Sequence, residues 1–102
     1  MQAIFNGRIL MPDGVVTDRA LLFEERIIGL CAPDALPEKC EVIDAGGQYV
    51  APGLIDLHIH GYMGEDASDA SAEGVRIMAR GIARNGVTSW LPTTMTVSKQ
   101  QL

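Results

Sequence analysis

The chain has 102 residues, of which 47 % are hydrophobic and 21 % charged, and this composition excludes a disordered or collagen-like polypeptide. Its formal charge of −5 leaves no basic footprint for nucleic acid. No apolar run reaches the ~18 residues of a membrane span. Asn6, Arg8 and Asp13 interrupt any apolar leader, so a cytoplasmic protein with neither a nucleic-acid nor a membrane partner is expected.

The first fifty residues read as short strands and turns. Gln2–Met11 alternates loosely, and Gly7 is expected at a bulge. Pro12-Asp13-Gly14 is a turn, because Pro fixes φ, Asp hydrogen-bonds locally and Gly accepts positive φ. Ala20–Phe23 and Arg26–Cys31 flank Glu24-Glu25 as a hairpin. Asp34–Lys39 is a loop, and Glu41–Asp44 is a strand closed by Ala45-Gly46-Gly47. Cys31 and Cys40 are too few for a disulfide framework and are expected as reduced thiols.

The pattern changes at Pro52-Gly53. Leu54–His60 is a strand bounded by Gly61, followed by a polar loop from Tyr62 to Asp69. Val75, Met78, Ala79, Ile82 and Ala83 carry helical spacing within Ser71–Asn85. Ser71 is the expected N-cap, and Asn85-Gly86 the C-terminal stop. Val87–Pro92 is a second strand, which makes a βαβ unit with parallel strands. Ser98-Lys99-Gln100-Gln101 has the form of a capping box and announces a second helix, so the sequence reads as interrupted rather than finished. Trp90 and the five methionines read as core material.

His58 and His60 carry the chemistry. Residues i and i+2 of a strand share a face, so two imidazoles placed there can converge on one metal ion. The bland alternative is two polar positions near a strand end. Their place at the C-terminal end of a parallel strand, where α/β architectures build sites, favours the metal. Asp56 shares their face, either as an acceptor that orients an imidazole or as an ordinary hydrogen-bonded carboxylate. Ile55, Leu57 and Ile59 are expected to face the crossover helix. Glu65, Asp66 and Asp69 are open to two readings, as hard-cation ligands or as solvated loop and capping residues. Thr93-Thr94-Met95-Thr96 lies where substrate contacts form, and it also has the composition of an ordinary strand end. The glycines form neither phosphate-cradling pattern, and no nucleophile motif is present.

Asp44-Ala45-Gly46-Gly47 and Val50–Gly61, with Pro52-Gly53, Ile55-Asp56 and His58-x-His60, resemble the first barrel strand of the amidohydrolase superfamily. His60-Gly61-Tyr62-Met63-Gly64 and Gly86–Thr94 are similar to the N-acetylglucosamine-6-phosphate deacetylase family within it. Dihydroorotases usually carry an Arg soon after the second His, whereas here Gly61 follows it.

The resemblance implies an α/β protein. Residues 1–51 would be the N-terminal part of a small β-sandwich. Residues 52–102 would be the first βαβ unit of an incomplete (β/α)8 metal-dependent hydrolase barrel, since a whole barrel takes about 200–250 residues. It implies hydrolysis of N-acetylglucosamine 6-phosphate to glucosamine 6-phosphate and acetate. The cofactor would be a divalent metal (zinc, iron, cobalt or manganese), two per active site in the complete enzyme, with His58 and His60 holding one. The partners would be an amino-sugar phosphate substrate and a second copy in a homodimer, or other molecules meeting the exposed edges of the fragment. No catalytic residue maps onto this chain, so the isolated 102 residues are expected to be inactive. The competing expectations are another amidohydrolase, a deaminase or cyclic amidase, and a non-catalytic interaction module.

Overall fold

A computed structural model describes residues 1–100, and the chain divides into two compact units, Met1–Pro52 and the residues from Gly53 onward. The first unit holds β1 (Gln2–Phe5), β2 (Arg8–Met11), β3 (Gly14–Val16), β4 (Ala20–Phe23), β5 (Ile27–Cys31), β6 (Glu41–Asp44) and β7 (Tyr49–Val50). They form a four-stranded sheet of order β5-β4-β1-β6 and a three-stranded sheet of order β3-β2-β7. Both sheets are mixed. β1 pairs antiparallel with β4 and parallel with β6, and β2 pairs antiparallel with β3 and parallel with β7.

Gln2–Met11 is therefore not one bulged strand. Asn6 takes a left-handed φ of 52°, and the chain leaves one sheet for the other at Asn6-Gly7. A side chain on Gly7 would lie 2.7 Å from Val50 Cγ2, so the crossing needs a residue without Cβ. The Asp44 carboxylate fixes the neighbouring turn. It accepts from Asn6 Nδ2 and from the Gly46 N–H, each at 2.8 Å. These bonds, the Gly46 one first, hold the Asp44 carboxyl below its ordinary pKa. Ala3, Ile9 and Ala20 form the buried apolar centre of this unit.

The turns follow the sequence expectations. Met11 pairs with Gly14 across Pro12-Asp13, and the Glu24 N–H closes the β4–β5 turn onto the Arg26 carbonyl. Pro33–Ala35 forms a 3-10 turn inside the expected loop, and Cys31 and Cys40 are free thiols.

The second unit holds β8 (Leu54–Ile59), β9 (Gly61–Tyr62), β10 (Glu65–Asp66), a 3-10 turn at Ala67–Asp69, α1 (Ala72–Ala83) and β11 (Val87–Pro92). β8 and β11 pair in parallel, with the Leu54 N–H on the Gly86 carbonyl at one end and the Thr93 N–H on the Ile59 carbonyl at the other. α1 begins where Ser71 Oγ accepts the Gly74 N–H, and it ends before Gly86 at φ 84°. Gly53 is also fixed by space, because a Cβ there would collide with the Thr88 side chain.

The packing corrects three expectations. α1 buries Gly74, Met78, Gly81 and Ile82, and it packs mainly on β9, β10 and β11. Ala83 is exposed, and Gly81 takes the close contact instead, because only a residue without Cβ fits against the Tyr62 ring and Met63. Ile55 and Leu57 are 67 % and 70 % exposed and Ile59 is half-buried, so the expected cover of Ile55 and Leu57 by the helix does not form. Among the methionines Met78 alone is fully buried, while Met1, Met11, Met63 and Met95 are exposed and Trp90 is half-buried. Residues 99–100 form a turn, and Gln101 of the expected capping box lies outside the described residues.

Candidate functional site

The site forms at the C-terminal ends of the two parallel strands. β8 alternates its side chains, so Asp56 and His58 share a face, and His60 continues that parity one residue beyond the strand. The two imidazoles meet with Nε2 atoms 3.1 Å apart, ring centroids 4.8 Å apart and planes 86° to each other. His60 Nδ1 lies 2.8 Å from the Thr93 carbonyl oxygen. A carbonyl can only accept, so this nitrogen carries a proton, and in the neutral imidazole Nε2 is then the acceptor.

Asp56 acts on the backbone. Its Oδ1 accepts the His58 N–H at 3.0 Å, which steadies the peptide between the two aligned side chains. Gly61 follows because a Cβ there would sit 2.5 Å from the Glu65 carbonyl oxygen, where β9 and β10 pair. The Ala67 N–H donates to the His60 carbonyl at 2.7 Å, so the loop after β8 folds back onto the second histidine.

The three loop carboxylates separate in role. Asp66 caps the 3-10 turn, its Oδ1 accepting the Ser68 N–H at 2.7 Å. That bond, then the Ser68 hydroxyl, holds its carboxyl below the ordinary value. Glu65 is half-buried, with Oε2 against the spot a Gly74 side chain would occupy, and Asp69 is exposed. Among the described residues no cluster of three or more His, Cys, Asp or Glu side chains is arranged to hold a metal. The geometry brings His58 and His60 together and leaves Glu65, Asp66 and Asp69 outside that pair. A cleft of about 400 Å³ opens beside the pair's loops, lined by Asp66, Ser68, Asp69, Met95 and Val97.

Sequence reasoning missed two contributors. The Thr93 carbonyl is main chain, which no motif displays. Ser68 is buried at 7 % exposure and accepts the Met95 N–H at 2.8 Å, a role that nothing in its local sequence announces.

The amidohydrolase family profile matches residues 41–100, which include both histidines. The chain belongs to the amidohydrolase family. The N-acetylglucosamine-6-phosphate deacetylase of Bos taurus is 41 % identical over 93 residues, which are 88 % of this chain and 19 % of that protein. A dihydroorotase of Bacillus cytotoxicus is 40 % identical over 55 residues, 54 % of this chain and 13 % of its own. The crystal structure of N-acetylglucosamine-6-phosphate deacetylase from Pasteurella multocida superposes with a TM-score of 0.88 at 28 % identity, over 98 % of this chain and 27 % of that one. The chain thus spans about a fifth to a quarter of the length of these deacetylases. Among the described residues no helix is long and apolar enough to cross a membrane.

Proposed function

We propose that this amidohydrolase chain is the part of a metal-dependent deacetylase that supplies its first metal-ligating strand. The substrate would be N-acetylglucosamine 6-phosphate, released as glucosamine 6-phosphate and acetate. The convergence of His58 and His60 at the C-terminal end of β8 carries this reading. The similarity to named deacetylases supports the choice of substrate.

The donor set fits a divalent transition metal. Imidazole nitrogen suits zinc, iron, cobalt and manganese. Two nitrogens about 2.0–2.1 Å from a tetrahedral ion stand ~3.3 Å apart, close to the observed 3.1 Å. His58 and His60 would hold one of two ions in the complete enzyme. When bound, such an ion lowers the pKa of a water toward ~7 and polarises a carbonyl oxygen. The chain's own groups prepare the ligands. The Thr93 carbonyl accepts the hydrogen bond of His60 Nδ1–H, which leaves the Nε2 lone pair to face a metal, and Asp56 fixes the backbone that aims His58.

A catalytic zinc takes three protein ligands and a water, and the described residues offer two. We therefore assign no catalytic acid or base to this chain and propose that the 102 residues alone are inactive. The expected result is no acetate release from N-acetylglucosamine 6-phosphate with zinc or manganese added, and measurable turnover would overturn it. In the natural protein we propose a homodimer. Exposed Ile55, Leu57 and Leu91 are the faces on which we expect the isolated chain to associate.

The dihydroorotase match favours a second reading, a cyclic amidase. Protein purified from its source separates the two. We expect it to release acetate from the sugar phosphate, and ring opening of a cyclic amide without acetate release would favour the alternative.

A further inference from the structure

We propose that Ser68 is a positioning residue for His60, acting through the segment Thr93–Met95. Ser68 is the buried polar side chain of the described residues, at 7 % exposure. Its Oγ accepts the Met95 N–H at 2.8 Å. The hydroxyl oxygen accepts this bond, and alanine would leave the Met95 N–H without it. Two residues before Met95, the Thr93 carbonyl holds His60 Nδ1 at 2.8 Å. On the other side the Ser68 N–H is fixed by Asp66, and the preceding Ala67 N–H is fixed by the His60 carbonyl. The contacts close a ring that runs His60, Ala67, Ser68, Met95, Thr93 and back to the His60 imidazole. Pro92 has no N–H, so the segment leaving β11 is tied by the Thr93 N–H on the Ile59 carbonyl and then by Ser68. Ser68 thereby sets where the Thr93 carbonyl stands, and with it the tautomer and direction of the His60 ring.

This rests on the proposed metal role of His60 only for its effect on metal affinity. The test is nitrogen-15 NMR of the 102-residue chain and its Ser68→Ala variant, with Ser68→Thr as the hydroxyl-retaining control. In the unsubstituted chain His60 should carry its proton on Nδ1, and the Met95 amide should resist exchange. In Ser68→Ala the His60 ring should become a mixture of tautomers and Met95 should exchange about tenfold faster or more. Zinc affinity should fall about tenfold, the usual size for a group that orients a ligand. Ser68→Thr should restore the tautomer. A folded Ser68→Ala chain with unchanged His60 tautomer and Met95 exchange would overturn the proposal. So would a Met95 amide that is unprotected in the unsubstituted chain, a result that does not require the variant to fold. If the unsubstituted chain fails to bind zinc, the metal reading fails, while the tautomer and exchange measurements still judge Ser68.

Discussion

His60 Nδ1–H donates to a backbone carbonyl, so in the neutral ring the Nε2 turned toward His58 is an acceptor. At 3.1 Å a hydrogen bond from His58 Nε2–H to His60 Nε2 would satisfy both rings, whereas a bound cation would need the lone pairs of both Nε2 atoms. We predict that His58→Ala and His60→Ala each weaken zinc binding about tenfold or more, measured by calorimetric titration. At Gly61 the constraint is steric. Gly61→Ala would place a Cβ 2.5 Å from the Glu65 carbonyl, and we predict a loss of about 1–3 kcal/mol in urea unfolding. The histidine pair was legible because strand periodicity alone aligns i and i+2. The Thr93 carbonyl and Ser68 were not, because one meets His60 33 residues away and the other meets Met95 27 residues away, each through a main-chain group common to every residue.

α1 shows how local signals and packing divide the work. Its start was readable, since Ser71 is a short polar residue before an apolar-periodic run and its Oγ caps Gly74. Ser71→Ala should cost about 1 kcal/mol, a loss checked by chemical denaturation. Met78 is fully buried, and Met78→Ala should cost about 2–5 kcal/mol in the same assay. The helix's partner was not readable. Periodicity gives the apolar face but not what it lies against, and here Gly81 lets the helix settle on Tyr62 and Met63 of the β9–β10 hairpin. Asn85 Nδ2 donates to the Tyr62 hydroxyl at 2.7 Å and strengthens that choice, leaving Ile55 and Leu57 of β8 exposed. In the first unit the break at Asn6-Gly7 escaped notice for a related reason. Alternation on both sides of Gly7 continues whether the chain bulges within one sheet or passes to another.

At the scale of the whole molecule, a net charge of −5 coexists with exposed Ile27, Ile28, Ile55, Leu57 and Leu91. Sedimentation of the 102-residue chain should therefore show concentration-dependent association, and a strict monomer at high concentration would contradict it. Stability should also depend on acid through Asp44. Its folded pKa lies below the unfolded value, so it contributes stability above the ordinary carboxylate range, and that stability is lost as pH falls through the lowered pKa. Asp44→Ala should flatten the acid limb of a urea-midpoint against pH plot, leaving a smaller fall below about pH 4. The chain divides into two compact units after Pro52, where strands and turns give way to strand, helix, strand.

We propose that His58 and His60 form a cation site at the end of β8. Titrating manganese(II) into nitrogen-15-labelled chain tests it most directly, since paramagnetic broadening reports weak binding and its location together. We predict broadening centred on Leu57–Gly61 and Thr93, abolished in a His58→Ala, His60→Ala double variant. Broadening centred on Asp or Glu residues away from these positions, or none at all, would contradict it.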